Sequence, residues 1–124
     1  MSFEPPKAVI AGALDEWNRL LPYMREQNYD VEENVQPYAS YCIAVMRRDE
    51  CEANIAAEGL LVKSRRDGHL VRNHATMIQQ SANQTILEIS KRFGFTPADK
   101  KALAQVKEEA GEDKPDWLKD IARK

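Results

Sequence analysis

The apolar residues of the chain fall into helical stripes with one interruption. From Lys7 onward, Ile10, Leu14, Trp17, Leu21 and Met24 recur at i, i+4, i+7, i+11 and i+14, the spacing of a single helical face. This predicts a first helix, with Pro6 suited to its first turn. Pro22 lacks the amide hydrogen that an interior position donates, so the helix is expected to kink or end there, or to continue to about Gln27. Asp30 followed by Glu33 has the form of a capping box, after which Val35, Tyr38, Cys42, Val45 and Met46 continue at helical spacing toward Ala53, Ala56 and Ala57. Pro37 lies too deep for the first turn of a helix starting at Asp30. The long second helix therefore bends at Pro37 or begins near it, and Glu58-Gly59 supplies its stop.

Between Leu60 and Arg72 the pattern changes. Leu60-Leu61-Val62 and His69-Leu70-Val71 are short β-prone runs flanking a polar segment with Asp67-Gly68, a hairpin turn signal. A two-stranded hairpin is marginal alone and must pack on the helices or on another subunit. Asn73 then caps a third helix in which Ile78, Ala82, Ile86, Ile89 and Phe93 form a strong stripe ending at Gly94. Thr96-Pro97-Ala98-Asp99 combines an N-cap, a proline at the first helical position and an acidic third position, so a fourth helix follows to about Ala110. The expected architecture is mainly α: about four helices with one small β-hairpin between the second and third. Residues 1–110 are expected to form the helical domain, and residues 111–124 a charged tail carrying Trp117, Leu118 and Ile121.

Composition narrows the class. The chain has 124 residues, 43% of them hydrophobic and 31% charged, which suits one globular core. No apolar run is long enough to span a bilayer, and Met1 to Pro6 lacks the features of a signal peptide, so the expected location is the cytoplasm. Cys42 and Cys51 sit nine apart on one helix, about 13 Å apart and on opposite faces, so they cannot bridge each other.

Charge is distributed unevenly. Residues 1–62 hold 5 basic and 11 acidic side chains, a balance of −6, whereas residues 63–124 hold 13 and 9, a balance of +4. Lys63, Arg65, Arg66, Arg72, Lys91, Arg92, Lys100 and Lys101 concentrate the positive charge, a distribution suited to a polyanion or to an acidic patch on a neighbouring subunit.

Catalytic signatures are missing. The sequence contains no phosphate-loop motif, no G-x-G-x-x-G, no G-x-S-x-G and no H-E-x-x-H. His69 and His74 have no carboxylate or cysteine partner at a meaningful spacing. The adjacent carboxylates Glu32-Glu33 and Glu108-Glu109 point about 100° apart on a helix and do not face one another. No catalytic residue, metal site or cofactor is expected. Ile89 to Lys107 has the form of a helix-turn-helix with Lys100 and Lys101 near the start of its second element.

A Trp-bearing first helix, Tyr41-Cys42 and Arg47-Arg48-Asp49-Glu50 in the long helix, the Glu58-Gly59-Leu60 exit into a basic hairpin, and Gly94-Phe95-Thr96-Pro97 before Lys100-Lys101 form one combination. Over roughly Leu14 to Leu103 the chain resembles the small terminase subunits of tailed double-stranded DNA phages. It departs from them at Asn73-His74, where proline is usual, at Phe95, where leucine is usual, and at Pro37. The resemblance implies a non-catalytic subunit in the cytoplasm of the bacterial host. It would bind double-stranded viral DNA to initiate packaging, assemble into a ring, and recruit and regulate the large terminase ATPase/nuclease. On this basis the eight basic residues named above are candidate DNA contacts, and Trp117, Leu118 and Ile121 a candidate docking motif for the large subunit. A dimeric helix-turn-helix transcriptional regulator is the alternative, and a helical adaptor without a nucleic-acid role a third class.

Overall fold

A computed structural model describes residues 3–112. The chain divides into two compact units, Met1–Ile89 and a second that starts at Ser90. Among the described residues there are four α-helices, α1 (Gly12–Glu26), α2 (Val35–Glu58), α3 (Ala75–Phe93) and α4 (Pro97–Glu112). One antiparallel hairpin, β1 (Leu61–Lys63) with β2 (Leu70–Arg72), lies between α2 and α3 in the sequence. The expected fold is the one observed.

The first helix starts later than its stripe suggests. Ile10 and Ala11 precede it in a tight turn, in which the Ala13 amide donates to the Ile10 carbonyl at 3.0 Å, and Ile10 is exposed. The buried face is Ala13, Trp17 and Met24, while Leu14 is exposed and Leu21 half-buried. Pro6 lies outside the helix, its carbonyl accepting from the Val9 amide. Pro22 lies within α1, which runs on to Glu26, with its ring on the exposed side.

Asp30 and Glu33 do not form the expected box. A short 3-10 turn, Glu32–Asn34, leads into α2 instead, and the Asn34 side chain donates to the Tyr29 carbonyl at 2.8 Å, bracing the corner. With α2 starting at Val35, Pro37 is its third residue, where the missing amide has no intrahelical partner to lose.

These two helices build the core of the first unit. The Tyr38 hydroxyl donates to the Trp17 carbonyl at 2.6 Å, and the Trp17 and Tyr38 rings lie 4.4 Å apart. Phe3 stacks on both, at 5.0 and 5.7 Å. At the other end of α1, a Cβ on Gly12 would sit 3.4 Å from Met46 Cγ, so α1 runs antiparallel along the first half of α2. The second half of α2 extends beyond α1, which is why Ala53, Ala56 and Ala57 are exposed although they continue the stripe. Burial pushes the Cys42 thiol up to about 12 and raises the Tyr38 hydroxyl well above the usual phenol range. Cys42 and Cys51 are both free, as their spacing implies, and both are buried.

In the second unit the capping signals are realised. Gly94 adopts φ 67 at the end of α3, and its amide donates to the Ser90 carbonyl at 2.8 Å. Thr96 Oγ1 accepts from the Asp99 amide at 3.1 Å, with Pro97 at the first helical position. The Phe93 and Phe95 rings lie 5.5 Å apart across this turn.

Candidate nucleic-acid and assembly surfaces

The hairpin is anchored at its base by one side chain. Asn73, 8% exposed, donates through Nδ2 to Asn54 Oδ1 at 2.9 Å and to the Gly59 carbonyl at 3.0 Å. Its Oδ1 accepts from the Ala75 amide at 3.0 Å, capping α3 as the sequence suggests. The Asn73 amide also donates to the Leu60 carbonyl, adding one rung below the strands. One asparagine thus fastens the end of α2, the hairpin base and the start of α3. The cap was legible from sequence, whereas the bonds to Asn54 and Gly59 span 19 and 14 residues and leave no local signal.

The ladder pairs Leu61 with Arg72, Val62 with Val71, and Lys63 with Leu70. Alternation therefore puts Leu61, Lys63, Leu70 and Arg72 on one face and Val62 and Val71 on the other. The tip is longer than a two-residue turn. Residues 64–69 connect the strands, the Gly68 amide donates to the Ser64 carbonyl at 3.0 Å, and Gly68 takes φ 75. Asp67 Oδ1 accepts from the His69 amide, fixing the loop that carries Arg65 and Arg66.

Lys63, Arg65, Arg66 and Arg72 are all exposed on this one element, and Arg72 Nε donates to Thr76 Oγ1 at 2.7 Å. Lys91 and Arg92 lie in the last turn of α3, and Lys100 and Lys101 near the start of α4. The Arg92 guanidinium carbon is 5.7 Å from the centroid of the Phe93 ring. The eight basic candidates therefore form two groups of four, one per unit. Trp117, Leu118 and Ile121 fall outside the described residues.

Apolar exposure is the feature that periodicity did not separate from the core. On the hairpin, Leu60, Leu61, Leu70 and Val71 are exposed, Leu61 and Leu70 by 56% and 63%. On α3, Met77, Ile78 and Leu87 are exposed, although Ile78 belongs to the strongest stripe in the chain. Met77, Ile78 and Ala82 face Ile43, Ala44 and Arg47 of α2 across an open groove of about 540 Å³. Nothing lining this groove pairs a nucleophile with a base. Among the described residues no three His, Cys, Asp or Glu side chains come together as metal ligands, and no helix is long and apolar enough to cross a membrane.

Among the described residues, the hairpin thus carries four exposed basic side chains beside exposed apolar ones. Residues 13–110 match the family model described as phage terminase, small subunit, and the chain belongs to that family, with a role in phage packaging. No curated protein and no solved structure matches the chain.

Proposed function

We propose that this subunit binds double-stranded viral DNA at the start of genome packaging, within a homo-oligomeric ring, and recruits and regulates the large terminase subunit. The family match over residues 13–110 carries this reading. Arg65 and Arg66 at the hairpin tip, flanked by Lys63 and Arg72, make one set of phosphate contacts, and Lys91, Arg92, Lys100 and Lys101 the other. Repetition around a ring multiplies a modest positive patch into a strongly binding surface, and the subunit itself works without a cofactor in the host cytoplasm. In this reading residues 1–110 recognise DNA and assemble, and Trp117, Leu118 and Ile121 in the tail 111–124 dock on the large subunit. ATP hydrolysis and DNA cutting belong to that partner.

Fluorescence anisotropy with duplexes from the phage's own packaging start tests the DNA contacts. Arg65→Ala with Arg66→Ala should weaken binding with little loss of fold, and lower the log–log salt slope by about one unit for each phosphate no longer neutralised. Unchanged affinity and slope would remove the hairpin tip from the DNA site. Co-purification with the large subunit, with and without residues 111–124, tests the tail.

A further inference from the structure

The hairpin bears a face that its own unit does not cover. Leu61, Lys63, Leu70 and Arg72 share that face, and all four are exposed. Phosphates supply nothing for two leucines to pack against, whereas a protein surface with apolar and acidic side chains satisfies all four residues. This chain carries such a surface at the α1–α2 corner. Glu26, Asp30, Glu32 and Glu33 are exposed there around the exposed Val31, and the corner is braced by the Asn34–Tyr29 hydrogen bond. Among the described residues none of these acidic groups, and neither Lys63 nor Arg72, forms an ion pair within the chain.

We infer that the Leu61/Lys63/Leu70/Arg72 face of one subunit docks on the acidic corner around Val31 of a second copy. The inference rests on the ring proposed above and specifies its interface. Corner and hairpin lie at opposite ends of α2, whose 24 residues span about 36 Å. The contact joins two different patches, so it is heterologous, and repeated copies close into a ring when the rotation permits. It also divides the work within the hairpin. Lys63 and Arg72 on the strands then leave the hairpin set of phosphate contacts proposed above and serve the neighbour, and Arg65 and Arg66 at the tip remain for DNA. The Nε–H of Arg72, held by Thr76, leaves the outer guanidinium nitrogens free to meet a carboxylate.

Light scattering of the full chain across a concentration series tests this. Glu32→Lys with Glu33→Lys should weaken subunit association about tenfold or more, and so should Lys63→Glu with Arg72→Glu, because each sets like charges against each other. Combining both pairs should restore assembly. Leu61→Ser with Leu70→Ser, which leaves the Arg72–Thr76 bond and every charge in place, should weaken assembly without rescue by the charge swap. Circular dichroism of each variant separates a broken interface from an unfolded chain. Wild-type protein that assembles, with both charge reversals assembling equally well, would overturn this interface and leave the ring intact. Wild-type protein that stays monomeric throughout would overturn the ring itself. Arg65→Ala with Arg66→Ala should keep the wild-type mass; dissociation of that variant would move the interface to the tip.

Discussion

Replacing Asn73 with alanine is the perturbation that most directly tests the link between α2, the hairpin and α3. The substitution deletes one capping acceptor and two donated hydrogen bonds at a site 8% exposed. Loss of an asparagine cap costs about 1 kcal/mol, and each neutral hydrogen bond contributes about 1 kcal/mol net. The Asn54 side chain is exposed and water replaces its missing partner, so its share is the smallest. The Gly59 carbonyl, on a half-buried residue, keeps more of its desolvation cost. The expected loss is about 2–3 kcal/mol, measured by urea unfolding followed by circular dichroism at fixed protein concentration, since association adds to apparent stability. Asn73→Ser separates the two effects. Serine retains a capping oxygen but cannot reach Asn54 and Gly59 with an amide, so it should recover about 1 kcal/mol of the loss. A loss for Asn73→Ala below about 0.5 kcal/mol, or identical losses for both variants, would refute the reasoning.

The prolines and the buried core carry the other predictions. Pro22→Ala should stabilise the protein by about 1–3 kcal/mol, since it restores an interior helical hydrogen bond at an exposed position. Pro37→Ala, at the third residue of α2, should change stability by no more than about 1 kcal/mol, and thermal unfolding of the two variants compares them directly. The Cys42 thiol is raised by burial from its ordinary 9.0 to about 12. Its contribution is therefore complete below the ordinary value and disappears as pH climbs from about 9 toward 12. Melting temperature should fall across that window, less steeply for Cys42→Ala, with the raised Tyr38 sustaining part of the slope in both. Tyr38→Phe should cost about 1 kcal/mol in urea unfolding by removing the bond to the Trp17 carbonyl.

Local signals transferred well from sequence to structure. Thr96-Pro97-x-Asp99 starts α4 as it stands, because capping is decided by four adjacent residues. Gly59 and Gly94 end their helices with positive φ for the same reason. Asp30 and Glu33 failed as a box because a 3-10 turn, Glu32–Asn34, intervenes and α2 starts only at Val35, which leaves Asp30 away from the N-cap position. The basic residues were legible as a charge imbalance, but their division into a hairpin group and a group beside Gly94 needed the fold.

Periodicity marks the face that must be buried and is silent on what buries it. Trp17 and Tyr38 are covered within the first unit because α1 lies against the first half of α2. Ile78 has the same helical spacing and remains half open, beside a groove rather than a helix. The exposed leucines of the hairpin repeat the point in β form. A strand pair that small does not retain a fixed register in water on its own account, yet here it is fastened at its base by Asn73 and left uncovered on its Leu61–Leu70 face. That uncovered face is the one inferred above to meet a second molecule. In the interface inferred above, the acidic corner about 36 Å away along α2 is the complementary patch, on another copy of the same chain.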